Sequence, residues 1–426
     1  MGEGRVRPDV LLLVTGLLIS VARCQAQDAL RNALSLDQVL LSAQTVSPEQ
    51  PHLGPVQMRF GAFSGVELND NISLVETNPL SDVLLKGGVL AGLAWPATTQ
   101  SELRFGLKIG YVHYFEHSQN DHPEVAPDSA LSWQVMFKDG SVTFFDQFSY
   151  LQDVINEGAL SGVTTFSRFD NTVGARVNWQ PKQWLIEAGY SHNDFFSDSA
   201  ELQYLDRSSE FFFFRLGWRF AENTQGGLEA SASLTHYREA IQSDNWSISV
   251  GPYLEWQITQ NLRGALRGGP TFYEFESSGQ SSQGSELNSY YVGLDVTHQL
   301  TDFLSQRLIG QRDVRLGLNQ GSDYLEQFSM NYTLSLALTR HTDLGLNFTY
   351  EHGTQPFEVP IQLPSGVFIL RYSETFDRFG VGPSFSWRAT DKLSTSIGYY
   401  YWLRDSNLPD RGYTQNSLFF NVSYTF

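Results

Sequence analysis

The chain has 426 residues, a formal net charge of −18, 14% aromatic residues, 36 glycines and a single cysteine. Only 17% of its residues are charged, against about 25% in an ordinary soluble domain. Its pI near 4.8 offers no basic surface for nucleic acid. The aromatic and β-branched content excludes disorder, and past the N-terminus no apolar run reaches the ~18 residues of a membrane-crossing helix. A large all-β protein remains, either a soluble multi-sheet protein or a barrel.

The chain opens with Arg5 and Arg7, followed by the apolar stretch Val10–Ala22, too short for a comfortable membrane span. A basic flank, a short apolar core and small residues near Ala26 predict a secretory signal peptide over residues 1–26. Cleavage there removes Cys24 and leaves no disulfide to stabilise the mature chain. Lipidation at Cys24 is the alternative, although Arg23 stands where a lipoprotein signal needs a small residue. Residues 27–55 read as a periplasmic leader, with Leu30, Ala33, Leu34, Leu40 and Leu41 at loosely helical spacing. Pro48, Pro51 and Pro55 separate this leader from the rest of the chain.

From Gln57 to the last residue the pattern has a period of two. Leu103, Phe105, Leu107, Ile109 and Tyr111 alternate with Glu102, Arg104, Gly106, Lys108 and Gly110. A strand sends successive side chains to opposite faces, so such a segment has one apolar and one polar face. Connections alternate between short ones, such as Gln180–Gln183, Ala221–Thr224 and Ala389–Lys392, and long polar ones. The long ones are expected at Glu116–Asp128, Gln152–Arg168, Ser197–Ser208, Ser277–Glu286 and His352–Val367. This rhythm gives about 18 strands with both chain ends on the short-turn side. An even count with short periplasmic turns predicts a transmembrane antiparallel up-and-down β-barrel over residues 56–426.

A soluble sandwich would also alternate, but its polar face would meet bulk water. Here that face is rich in Gly, Ser, Thr and Asn, with isolated Arg and Glu and few Lys, which suits a confined, hydrated lumen. Trp95, Trp133, Trp179, Trp184, Trp218, Trp246, Trp256, Trp387 and Trp402 fall near expected strand ends, as in the aromatic girdles of membrane barrels. The last strand carries Leu418, Phe420, Val422, Tyr424 and the terminal Phe426 on one face. This resembles the C-terminal signal that outer-membrane barrels present to the barrel assembly machinery.

At the end of the first strand the chain reads Gly65-Val66-Glu67-Leu68-Asn69-Asp70-Asn71-Ile72. A first barrel strand running into an Asn-Asp-Asn element resembles the β-barrel porin family of the bacterial outer membrane, often encoded beside exopolysaccharide genes. The resemblance implies an outer-membrane barrel, with polysaccharide export in some members, and carries over no catalytic residue. Read from the residues alone, Asp70 is a turn or Asx-type group at a strand end.

No nucleophile elbow, phosphate loop, zinc-protease helix or calcium loop occurs, so neither an enzyme nor a cofactor is expected. His113 and His117 are four apart, about 13 Å on a strand, too far to share one ion. If the apolar face meets lipid, the other parity turns Arg59, Lys86, Arg104, Lys108, Arg176, Arg215, Arg219, Arg263, Arg267, Arg307, Arg315, Arg378 and Arg388 into the lumen. Facing them are Glu102, Glu187, Glu229, Glu255, Asp295, Asp313 and Glu351. The lumen is then expected to be basic, with the excess acid in outer loops at Glu124, Asp153, Glu157 and elsewhere. Such an arginine ladder either favours anionic solutes or pairs with the carboxylates to stiffen the wall.

The resulting reading is a porin-like channel for passive diffusion of small hydrophilic solutes, with a lean toward anions. The alternatives are a barrel for exopolysaccharide export or assembly, and a structural or adhesive barrel with a plugged lumen. Expected partners are outer-membrane lipid and lipopolysaccharide, the assembly machinery and the solute or polysaccharide. Porin-like barrels are often trimers, but no interface signature in the sequence demands a homo-oligomer.

Overall fold

The period-two pattern becomes strands wherever it predicts them, and in two places beyond. The computed structural model describes residues 51–277, 285–363 and 366–426. The expected signal peptide, nearly all of the leader and most of the Ser277–Glu286 connection lie outside these described residues. In chain order the strands are β1 (His52–Leu53), β2 (Val56–Asn69), β3 (Asp82–Thr98), β4 (Ser101–Tyr114), β5 (His122–Val125), β6 (Ala130–Phe137) and β7 (Gly140–Leu151). They continue as β8 (Arg168–Trp179), β9 (Trp184–Ser197), β10 (Arg207–Ala221), β11 (Thr224–Tyr237), β12 (Asn245–Thr259), β13 (Leu262–Phe275) and β14 (Ser285–Thr301). The last six are β15 (Leu304–Leu316), β16 (Tyr324–Ala337), β17 (Thr342–Leu363), β18 (Gly366–Arg388), β19 (Leu393–Ser406) and β20 (Tyr413–Thr425).

Sequential strands pair antiparallel, and β20 returns to β2 from Gly61 opposite Thr425 to Asn69 opposite Ser417. That last ladder closes the sheet and leaves no free edge around the wall. β1 is a short hairpin arm on the start of β2. β5 and β6 both pair with β4, at 109–112 and 101–106, so they are one wall strand interrupted at Ala126–Ser129. The wall therefore has 18 strands.

Strand parity sorts the side chains as the alternation requires. On β10, Phe212, Phe214 and Trp218 are exposed on the outside, while Phe211, Phe213 and Arg215 are buried inside. Exposed Phe, Leu, Val, Ile, Tyr and Trp side chains continue around the outer wall, from Phe60 and Val66 on β2 to Leu418 and Phe420 on β20. A closed wall with an apolar outer face is the form in which strands cross a membrane, because every backbone group is satisfied without water.

Two expected loops are corrected. His352–Val367 is not a loop: β17 and β18 stay in register up to Leu363 opposite Gly366. The polar residues Thr354 and Gln355 suggest a connection, but a ribbon above the membrane has no need of an apolar outer face. Within Glu116–Asp128, residues 122–125 form β5, because their backbone continues the β4 ladder. Trp402 is a third correction. It is not in an interfacial girdle but buried on the lumen side of β19, with the Arg378 guanidinium 4.0 Å above its ring.

Candidate functional site: a lumen narrowed by inward loops

The main buried apolar cluster among the described residues gathers around loops at the outer mouth. The β7–β8 loop, residues 152–167, turns inward and buries Val154, Ala159, Leu160 and Phe166. These pack with Leu74 from the β2–β3 loop, with Leu202, Tyr204 and Leu205 from a short 3-10 helix at 200–205, and with Leu318. Phe195, Leu325, Phe376, Trp402 and Tyr413 complete the cluster from the wall.

A loop inside a protein carries backbone groups that must find partners. Arg404 Nε donates to the Gly158 carbonyl at 3.0 Å, and Arg411 Nη2 to the Ala159 carbonyl at 3.0 Å. Arg378 donates to the Ile155 carbonyl, and Asn319 Nδ2 to that of Ala159 at 3.2 Å. The Gly162 N–H donates to the Leu74 carbonyl at 2.9 Å. Behind these contacts, Glu374 accepts from Arg404 Nη2 at 2.8 Å, Arg411 Nε at 2.7 Å, Ser406 Oγ at 2.9 Å and Gln355 Nε2 at 2.7 Å. The loop comes close to the wall at position 158, where a Cβ would lie 2.3 Å from Glu351 Oε2 and that side chain would have to shift.

Burial also acts on Tyr204, whose hydroxyl donates to the Leu318 carbonyl at 2.8 Å. Desolvation pushes its phenol up to about 12. On the outer surface, the Tyr114 backbone N–H, with His113, holds the Asp121 carboxyl below the usual carboxylate range.

Beside the inward loop an internal cavity of about 1380 Å³ remains. Its lining runs from Glu222, Asn223 and Thr224 at a short turn to Asn69, Ile72 and His122 at the opposite end of the barrel, past Asp153–Asn156 of the loop. Arg59, Lys86, Lys108, Arg219, Arg263 and Arg307 line it, together with Glu67, Glu124, Asp128, Asp153, Glu222, Glu255 and Asp295. The passage is therefore close to neutral rather than strongly basic. Sequence reasoning puts Glu124, Asp153 and Glu157 in solvated outer loops. Instead the first two line the cavity, and Glu157 is buried 3.4 Å from Arg168.

The thirteen cations expected in the lumen all carry inward parity, but they divide into two groups. Seven are in ion pairs: Lys86 with Glu67, Arg104 with Glu102, Arg176 with Glu187, Arg307 with Asp295, Arg315 with Asp313, Arg378 with Glu351, and Arg215 with Glu187, Glu229 and Glu255. Arg59, Lys108, Arg219, Arg263, Arg267 and Arg388 have no ion pair among the described residues. Lys108 lies over the Phe63 ring at 4.8 Å. Arg219 on β10, and Arg263 on β13 beside Thr297 of β14, stand near the short-turn end of the barrel. Inward tyrosines are committed to the wall: Tyr253 stacks under Arg215, Tyr291 donates to Glu229, and Tyr400 stacks on Phe419.

Sequence reasoning misses Glu374, Arg404 and Arg411. The inward parity of Arg404 is readable from the alternation of β19, but nothing local shows that its partner is a loop from β7.

The Asn-Asp-Asn element is a clasp at the barrel seam. Asn69 Oδ1 accepts from the Asn71 N–H at 3.0 Å, an Asx-type bond. Asp70 accepts from the Asn416 N–H and side chain, both at 2.6 Å, and Asn71 Nδ2 donates to the Thr414 carbonyl at 2.8 Å. At the other end of the seam, the Phe426 N–H donates to the Phe60 carbonyl at 2.8 Å. Leu418, Phe420, Tyr424 and Phe426 are exposed on the outer face, which Val422 shares by parity. His113 and His117 are apart, bonded to Asp121 at 2.6 Å and Asp82 at 2.8 Å respectively.

No protein-family model matches the chain, and no curated protein matches it. Among solved structures, Pseudomonas aeruginosa OccK2 (OpdF) in complex with glucuronate is 11% identical with a TM-score of 0.48, covering 88% of this chain and 100% of that one. Pseudomonas aeruginosa OpdK with vanillate is 8% identical with a TM-score of 0.47, over 87% and 99%. Acinetobacter baumannii OccAB2 is 8% identical with a TM-score of 0.45, over 88% and 98%. At that degree of likeness no residue role and no solute is carried over. The fold stands on the strand pairing described above.

Proposed function

We propose that the chain is an outer-membrane channel for passive diffusion of small hydrophilic solutes, narrowed by the loop at 152–167. The supporting observation is the cavity, studded with charged side chains of both signs, that runs the length of the barrel beside that loop. A pore of mixed, mostly paired charge passes solutes by size and hydration, and its bias comes from the charges left unpaired. Among the described residues lining the cavity, four cations, Arg59, Lys108, Arg219 and Arg263, and three carboxylates, Glu124, Asp128 and Glu222, are without an ion pair, so the lean is mildly toward anions. The packed loops favour small solutes over a polysaccharide chain, which would need the mouth cleared.

The test is single-channel recording of the refolded protein in a planar bilayer, with selectivity read from a salt gradient. A steady conductance with a modest anion preference is expected. A silent bilayer would sink the channel reading, and a clear cation preference would sink the assignment of Arg219 and Arg263.

A further inference from the structure

Asp146 is an outward-facing charge inside the apolar band of the wall. It lies on β7 and is paired across the sheet with Leu131 and Val173, both exposed on the outside, while its neighbours Phe145 and Gln147 are buried toward the lumen. Below it, Phe137 and Trp179 mark the lower aromatic rim beside Gly140. About six residues of tilted strand put the carboxylate roughly 15 Å above that rim, within an apolar band of ~25 Å. Above it, the Tyr150 hydroxyl bonds to Asp198 at 3.2 Å. An ionisable side chain at such depth is costly against acyl chains and marks contact with something polar.

Inside the chain the carboxylate has one hydrogen bond among the described residues. Asn171 Nδ2 donates to Asp146 Oδ1 at 2.6 Å and, at 3.3 Å, to the Gln147 carbonyl. The second carboxylate oxygen is left open on the outer face. Exposed Leu131, Trp133, Phe144 and Val173 surround the pair, with Trp133 stacked on Phe144 at 5.7 Å.

We infer that the β6–β8 wall is the contact between two copies of this chain, related by a two-fold axis along the membrane normal. Donor and acceptor stand on the outer face of adjacent strands, Asn171 opposite Phe148 and so two positions along the ladder from Asp146, and the patch carries both halves of a two-fold contact. Each Asp146 accepts from the other copy's Asn171, and the long bond to the Gln147 carbonyl is the one given up. The flanking aromatic and aliphatic side chains bury against their counterparts. This rests on the wall crossing a membrane and not on what passes through the lumen.

Cysteine cross-linking of the full chain in outer-membrane preparations tests it, because the single natural cysteine, Cys24, is equally present in the control. Val173→Cys is expected to give a disulfide-linked dimer on oxidation, whereas Leu346→Cys, on the far wall, is not. Adding Asp146→Leu to Val173→Cys is expected to cut the dimer about tenfold, while Asp146→Asn, which keeps a hydrogen-bonding amide, retains more of it. Heat-modifiable gel mobility confirms in each case that the barrel has formed. Equal cross-linking at both walls, none at Val173→Cys, cross-linking there to a different protein, or indifference to Asp146→Leu would each overturn the inference. Conductance plays no part in this readout, so its failure is distinguishable from failure of the channel reading.

Discussion

Arg404 and Glu374 form an ion pair of 2.8 Å in which both side chains are sealed from solvent. The two residues lie on neighbouring wall strands, yet the pair's purpose is visible only from the loop it faces. With its charge matched by Glu374, Arg404 aims Nε at the Gly158 carbonyl, and Arg411 does the same for Ala159. A loop carbonyl deep in a mouth loses water, and a charge-assisted donor is the strong replacement. The wall thus grips the loop that narrows the passage.

Removing one partner of such a pair leaves a buried charge uncompensated, which costs about 3–5 kcal/mol. Glu374→Gln is therefore expected to lower the urea midpoint of the folded barrel in lipid vesicles and to make single-channel current larger or noisier. Unchanged stability with unchanged current would show that the grip is unimportant.

Tyr204 supplies a pH dependence. Its phenol is raised by burial to about 12, whereas in the unfolded chain it titrates near 10. Between those values the unfolded chain binds fewer protons than the folded one, so stability falls as pH rises through that window and is unaffected below it. Tyr204→Phe is expected to remove part of this alkaline loss. Unfolding midpoints at pH 9 and pH 11, compared for the two proteins, read it directly.

Selectivity separates the unpaired cations from the paired ones. Arg219→Glu with Arg263→Glu is expected to move the anion-to-cation permeability ratio toward cations by roughly two- to fivefold, the size for exposed, salt-screened charges. Replacing the pair Arg307 and Asp295 with Gln and Asn leaves the net charge unchanged and should leave the reversal potential where it was.

Phe426 is expected to matter for delivery and little for the finished wall. Its N–H extends the seam by one bond to Phe60 and its ring is half exposed, packed edge-on against Tyr424. Phe426→Ala should lower the amount of barrel reaching the outer membrane in cells, while chemically unfolded protein refolds into detergent as well as before. An equal loss in both settings would make the residue structural.

Much of the wall is legible in the chain, because period-two alternation is a local property that each strand carries by itself. Short turns at Gln180–Gln183 and Ala221–Thr224 fall between strands as expected, and the alternation sorts inner from outer side chains, as at Phe212 and Arg215 on β10. Alternation fails above the membrane, where no lipid demands an apolar face. That is why the β17–β18 ribbon reads as a loop.

What the sequence alone determined is the antiparallel barrel: its strand number and its two faces. Only the tertiary structure decided what fills the barrel. The grip of Arg404 on Gly158 spans residues 246 apart, and no periodicity connects a strand to a loop that folds in from another part of the wall. The charge of the lumen was decided the same way, since a carboxylate such as Asp153 lies outside or inside according to how its loop packs.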